Sequence, residues 1–138
     1  MNKKVILLVT GLALLMSAAA SAQSIHIRAV VPFNFIAGHT SFPAGEYELL
    51  LTGMGNNVLV IRSLNSKDAA LVLSNMCESR DVSTHTELVF HRYGLRYFLA
   101  EAWMIGANAG RQLPASSREV EVAKDFSMDK VVLIAKRN

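Results

Sequence analysis

Cysteine is almost absent from this chain, since Cys77 is the only one in 138 residues. A single thiol cannot form an internal disulfide, so the fold must be stabilised by core packing. We expect Cys77 to be a small buried apolar side chain. An intermolecular disulfide and a reactive thiol are the alternatives, and the reactive thiol is the weaker one because the carboxylates of Glu78 and Asp81 would raise its pKa.

The sequence also lacks the short motifs of several large enzyme classes. It has no Gly-x-Ser-x-Gly nucleophile elbow, no phosphate-binding loop that ends in Lys-Ser or Lys-Thr, no Cys-x-x-Cys, and no two histidines at helical metal-binding spacing. These absences remove support for the corresponding hydrolases, nucleotide-binding enzymes, redox proteins and metalloproteases. We therefore expect a protein that is not an enzyme and that uses no cofactor.

Long apolar runs are missing except at the N-terminus. Residues 1–4 are basic, residues 5–16 are almost wholly apolar, and residues 17–22 are small and end in Ala-Ser-Ala. This order is typical of a secretory signal peptide, for which we expect cleavage after Ala22. No cysteine follows the cut to carry a lipid. The alternative, a retained membrane anchor, is disfavoured because the apolar run is shorter than the roughly 20 residues that span a bilayer.

The sequence thus predicts two segments, a cleaved signal peptide at 1–22 and a single domain at 23–138. The mature protein is expected to be exported to the periplasm or beyond the cell, with no stable membrane anchor. The whole chain has a formal charge of +3, but without Lys3 and Lys4 it has 12 basic residues against 11 acidic ones. Because the basic residues are also scattered, nucleic acid is excluded as the main partner.

Period-two patterns of apolar residues fill the predicted domain. Residues 25–35 alternate between apolar and polar, which predicts a strand that Pro32 confines to a sheet edge or bends. Residues 46–51 and 58–62 predict a hairpin across a turn rich in Gly and Asn, and residues 69–74 predict another short strand.

The strongest hairpin signal comes from residues 86–92 and 96–105, which are joined by a tight turn at Gly94 and Leu95. Ser116 and Glu119 form a capping-box pattern that predicts a helix within 116–126, and residues 131–135 predict a last strand. With six to eight strands in total, these patterns predict a mainly β fold. It is either an antiparallel β-sandwich or a small β-barrel, with one short C-terminal helix.

A few residues have side chains that could form a site. The first group, His85, Glu87 and His91, lies on one strand face as a weak metal candidate, because the first two side chains stand about 7 Å apart. The second is Glu101, which a two-residue turn would place beside Leu88, Phe90 and Leu99; a carboxylate there could act as an acid or bind a ligand. The non-functional alternative is that Glu101 pairs with an arginine at the sheet margin.

The third group is an aromatic and cationic patch that could bind sugars or partner proteins. Alternatively, its residues could belong to the core and to the rim around it: Tyr93, Tyr97, Trp103, Arg92 and Arg96.

Four separated motifs occur in an order that resembles a known group of proteins. They are VPFNF at 31–35, PAGEY at 43–47, LVFHRYGLRYFL at 88–99 and GRQLP at 110–114. The chain is similar over about residues 30–123 to an uncharacterised family of small exported bacterial proteins, of acidobacterial type. The resemblance implies export, and it implies no activity, cofactor or catalytic residue.

Two functional hypotheses follow, with a remote third. In the first, the domain is an interaction module that binds an envelope protein or polymer through strand edges and the aromatic hairpin; this hypothesis also allows a homo-oligomer. In the second, a closed barrel holds a small apolar ligand at its mouth. The remote third is a hydrolase that uses Glu101 or His91.

Overall fold

The computed structural model describes residues 25–51 and 57–137. These residues form, in order, β1 (Ile25–Val31), β2 (Phe35–Ala37), β3 (Thr40–Phe42), β4 (Gly45–Leu51), β5 (Val58–Ser63), β6 (Ala69–Leu73), β7 (Asn75–Glu78), β8 (Glu87–Tyr93), β9 (Arg96–Trp103), β10 (Ala109–Gln112), the helix α1 (Ser117–Ala123), β11 (Met128–Ile134) and β12 (Lys136–Arg137). The predicted mainly β class with one short helix near the C-terminus is confirmed. The strands outnumber the expected six to eight because several of them have only two to four residues.

The strands form two sheets. Sheet I has the order β12-β1-β4-β5-β6, and sheet II has the order β11-β8-β9-β10-β7, with β2 paired to β9 and β3 paired to β2. The pairing of β2 with β9 is parallel, and the other pairings of the described strands are antiparallel. No described strand pairs with strands of both sheets. The fold is therefore an open sandwich, and the alternative of a closed barrel is wrong.

The core lies between the two sheets. From sheet I, the inward-facing residues of β1, Ile27, Ala29 and Val31, are at most 3% exposed, and from sheet II the same is true of Leu88 and Phe90 of β8. Full burial of one such leucine or phenylalanine contributes about 1.5–3 kcal/mol. The alternation that predicted β1 is thus the pattern of this buried face.

Pro32 divides the predicted strand at 25–35. β1 ends at Val31 in sheet I, and β2 begins at Phe35 in sheet II. Proline has no backbone N–H to donate to a ladder, so the chain leaves sheet I at this residue. The expected bend is confirmed, whereas a single strand over 25–35 is wrong.

After the chain has passed from sheet I to sheet II, the VPFNF and PAGEY motifs pack against each other. Asn34 accepts a hydrogen bond from the backbone N–H of Ala44 through its side-chain oxygen at 2.9 Å, and the buried Tyr47 hydroxyl donates to the carbonyl oxygen of Pro43. Phe35 packs its ring edge-on against the ring of Tyr47, with 5.0 Å between the centroids. Both motifs therefore stabilise the fold.

The hairpin of β8 and β9 has the predicted register only near its turn. Phe90 lies opposite Leu99 as expected, but Val89 lies opposite Glu101, and Ala100 is an extra residue in β9. A β-bulge of this kind reverses the faces of the residues that follow it. Glu101 therefore lies on the outer face of sheet II, and its predicted placement beside the core residues of β8 is wrong.

The helix α1 covers part of this outer face. Ser116 is its N-cap and accepts a hydrogen bond from the backbone N–H of Glu119 at 3.2 Å, so the predicted cap is confirmed. Val122 packs with Ile36, Tyr93 and Phe98, which form a small cluster outside the main core. The helix is shorter than the expected 116–126.

Two predictions fall outside the described ranges. The signal peptide at 1–22 lies before residue 25, and the turn that contains Gly53, Gly55 and Asn56 lies within 52–56. The hairpin that this turn joins is confirmed, because β4 pairs with β5 from Tyr47 to Leu50. Within 25–51 and 57–137, no helix is long and apolar enough to cross a membrane.

The contact between Gly110 and Trp103 gives a prediction for stability. A Cβ atom on Gly110 would lie 2.6 Å from the indole ring and 2.7 Å from the carbonyl oxygen of Ala102, so Gly110→Ala forces β10 or Trp103 to move. We expect the free energy of unfolding in urea to fall by about 1–3 kcal/mol. Gly45→Ala is the control, because its Cβ would find no atom closer than 3.4 Å. Equal effects of the two substitutions would contradict the packing described for Trp103.

Candidate functional site

The predicted aromatic and cationic patch is divided between the two faces of sheet II. Tyr93 and Trp103 lie on the outer face. In the ladder, Tyr93 lies across from Arg96, and Trp103 lies across from Glu87 on one side and from Gly110 on the other. Tyr97 lies on the core face, where its ring stacks on Phe33 with 3.8 Å between the centroids. The five residues therefore do not form one surface.

Tyr93 and His91 contact the helix. The buried Tyr93 hydroxyl donates to a carboxylate oxygen of Glu119 at 3.4 Å, and His91 Nδ1 lies 3.5 Å from the same oxygen. Burial, and then the charge of Glu119, raise the pKa of Tyr93. These contacts hold α1 against sheet II, which is a structural role.

Glu101 accepts a hydrogen bond from the indole N–H of Trp103 at 2.8 Å. Its observed partner is therefore a tryptophan, whereas the non-functional alternative expected an arginine. Both residues line a polar cleft of about 330 Å³ with Glu87 and Lys130. Cys77 lies nearby, across from Gly110, and is half-buried. Burial, and then the charge of Glu101, raise the pKa of its thiol, which disfavours a reactive thiolate.

The weak metal candidates are not brought together. His85 contacts the hydroxyl of Thr84 at 3.0 Å, while Glu87 lines the polar cleft and His91 contacts Glu119. In the described ranges, no three His, Cys, Asp or Glu side chains are grouped closely enough to hold a metal ion.

Arg96 and Tyr97 are the two members of the predicted patch that share a cleft. The cleft has a volume of about 400 Å³, and a second arginine, Arg118 of α1, also lines it. We call it the arginine cleft. Arg92 does not line this cleft; its guanidinium donates to Asp129 at 3.0 Å and is also hydrogen-bonded to the side chain of Tyr97.

Sheet I presents a different outer face. Its middle is crossed by a charged row in which Arg28, Glu48 and Arg62 lie opposite one another on three adjacent strands. Glu48 is only 5% exposed, and both of its oxygens are engaged, one by His26 and the other by the Arg62 guanidinium. The hydrogen bonds from Arg62 and then from His26 lower the pKa of Glu48. The carboxylate is therefore ionised at neutral pH.

An apolar patch lies beside the charged row. The patch consists of two rows of residues that lie across the strands. In one row Val60 lies between Leu50 and Leu71, and in the other Val58 lies opposite Leu73. Leu71 is 75% exposed and Leu73 is 69% exposed. We call these five residues the β6 patch. Large contiguous apolar surfaces are unusual on monomeric soluble proteins and often bind partners.

β6 is also the last strand of sheet I, so one side of its backbone is unpaired in the described part of the chain. Its sequence, AALVL, has no charged residue and no proline. The sequence pattern predicted this strand but no site on it. The available signal was a run that is apolar on both faces, which normally predicts a central strand.

Comparison of the chain with protein-family models, with curated proteins and with solved structures found no match.

The charged row gives a prediction for pH dependence. The pKa of Glu48 is lower in the folded chain than in the unfolded one, so its ionised form stabilises the fold above about pH 4.3, and this contribution is lost as the pH falls through the folded value. We expect Glu48→Gln to lower the free energy of unfolding by about 1–2 kcal/mol at pH 7 and by less at pH 3.

Urea unfolding of the two proteins at both pH values measures this difference. Glu46→Gln is the matched control, because Glu46 lies on the same strand and face and no hydrogen bond or ion pair of its carboxylate is found in the described residues. A deficit of Glu48→Gln that is the same at pH 7 and pH 3 would rule out the ionised Glu48 as its source.

Proposed function

We propose that this protein is an exported, non-catalytic interaction module that binds an extended strand of a partner protein along the free edge of β6. The β6 patch contacts the side chains of that strand. The observation that carries the proposal is the unpaired, uncharged edge of β6, with Leu71 and Leu73 largely exposed beside it.

The other edges support this choice. Four strands lie at the ends of the two five-strand orders, and three of these strands have charged residues: Glu78 in β7, Asp129 and Lys130 in β11, and Lys136 in β12. Charged side chains on an edge strand discourage pairing with other chains. Only β6 among these four lacks that protection. β3, which pairs only with β2, is also uncharged, but it has three residues and its one large apolar side chain, Phe42, is buried, so β6 is the favoured edge for strand addition.

Strand addition has a simple energetic basis at this edge. The main-chain N–H and C=O groups of β6 would provide affinity, and the side chains of the added strand that face outward would contact Leu71 and Leu73. Next to these leucines, Val58 and Val60 are half-buried and extend the apolar contact. The charged row at Arg62 borders it, so the bound strand should be apolar at alternate positions and polar toward that end.

The two other hypotheses have less support. A ligand in the mouth of a barrel required closed sheets, and the described strands form an open sandwich. A hydrolase required Glu101 or His91 to be available for chemistry, and these side chains contact Trp103 and Glu119. Export itself rests on the signal-peptide pattern at 1–22 and remains part of the proposal.

Photo-crosslinking in cells that express the full chain tests the module. With a photo-reactive amino acid at position 71, we expect a discrete crosslinked product on illumination. Its yield should fall about tenfold when Leu73→Lys is added, because a lysine there disrupts a contact worth about 1–2 kcal/mol. The mass of the product shows whether the bound strand comes from a second copy or from another protein.

Position 132 provides the matched control. Val132 is also an exposed apolar residue on an edge strand, and it lies two residues from exposed Ile134 as Leu71 lies two residues from Leu73. The same photo-reactive group at 132 should give no discrete product. If position 71 gives no product, or if positions 71 and 132 give the same products, strand addition at β6 is wrong.

A further inference from the structure

The arginine cleft combines two features that point to one kind of ligand. Its walls come from β2, β3, β9 and α1, with neighbouring loop residues, and they include two guanidinium groups and no carboxylate: Asn34, Phe35, Ile36, Ser41, Phe42, Pro43, Leu95, Arg96, Tyr97 and Arg118. We propose that this cleft binds a small anionic ligand, an oxyanion of the carboxylate or phosphate type attached to a flat apolar group.

The charge of the cleft is not neutralised by its surroundings. The acidic side chains of α1 and of β11 have other partners, because Asp129 accepts from Arg92, Glu119 contacts Tyr93, and Glu121 contacts Lys124. Within the described residues, Arg118 donates to the Ser41 hydroxyl at 3.2 Å and Arg96 has no ion-pair partner. Two guanidiniums without a counter-charge favour an anion, and their planar donors match both oxyanion types.

The apolar part of the cleft is rigid. Phe35 and Phe42 are at most 3% exposed, and their rings stack with 5.2 Å between the centroids. Tyr97 is fixed by its stacking on Phe33, so its orientation does not depend on a ligand. Because Phe35 and Phe42 are almost fully buried, the apolar surface that a ligand can reach includes half-buried Tyr97 and exposed Leu95. Beside two exposed arginines, this surface suits a ligand with a planar apolar body and a charged end.

Size limits the ligand. The volume of about 400 Å³ lies near the lower end of the range for small-molecule sites, about 300–1,000 Å³. It accommodates one aromatic ring with its acidic substituent. The cleft contains no residue of β6, so this binding is separate from the proposed strand addition.

Titration of the ¹⁵N-labelled chain, followed by NMR, tests the proposal with three probes. Phenyl phosphate and phenylacetate have the apolar ring and an anionic group, and benzyl alcohol has a similar ring without charge. We expect saturable shifts of the Ser41, Arg96 and Tyr97 amides with the anionic probes and much weaker binding of benzyl alcohol. Tighter binding of one anionic probe identifies the source as a phosphate ester or as a carboxylate.

Arg96→Gln and Arg118→Gln should each raise the dissociation constant about tenfold, the loss expected for one charge-assisted hydrogen bond. Arg80→Gln, at an exposed arginine outside the cleft, should leave it unchanged. The proposal is wrong if neither anionic probe gives saturable shifts at these amides, if benzyl alcohol binds equally well, or if neither cleft substitution weakens binding more than Arg80→Gln does.

Discussion

Phe35 makes the aromatic contact on which the sandwich depends. Its ring lies edge-on to Tyr47 of sheet I at 5.0 Å and to Phe90 of sheet II at 5.5 Å, so one side chain contacts both sheets. A chain with a single cysteine has no disulfide to do this instead. The strand that contains Phe35 directly follows the segment that crosses from sheet I to sheet II, and the next residue, Ile36, packs against α1. Two consecutive residues next to the chain crossing therefore contact both the core between the sheets and the helix.

Local patterns predicted much of the fold because half of the described strand pairs join strands that are consecutive along the chain. β4 with β5 and β8 with β9 follow one another along the chain, and alternation and turn residues specify such pairs. The pairings of β1 with β12 and of β7 with β10 join distant segments, and no local signal specifies them. The bulge at Ala100 was equally hidden, since one extra residue between two apolar stretches leaves their composition unchanged, yet it moves Glu101 to the other face.

The candidate site was harder to predict than the fold, because the sequence distinguishes candidate residues only by their chemical type. Trp103, Tyr93 and His91 were selected in this way, and the structure uses them for packing and for hydrogen bonds with Glu101 and Glu119. The edge of β6 has no such chemistry, and its importance depends on the strand order, which the sequence does not reveal. Arg96 and Tyr97 were selected correctly as residues that share a cleft, and its second arginine, Arg118, lies more than twenty residues further along the chain.

The geometry of β6 also limits what can bind there. The strand has five residues. In the preceding turn, the Ser63 hydroxyl accepts a hydrogen bond from the backbone N–H of Ser66, and the Ser66 hydroxyl donates to Asp68. A long flat apolar edge invites open-ended aggregation, whereas a short edge that begins at a charged turn can pair with only a few residues. Leaving Leu71 and Leu73 exposed has an energetic cost in the free chain, and shortness keeps that cost small. The same shortness makes the affinity of the edge depend on the side chains of the β6 patch as well as on the backbone, and this dependence would make strand addition selective for its partner.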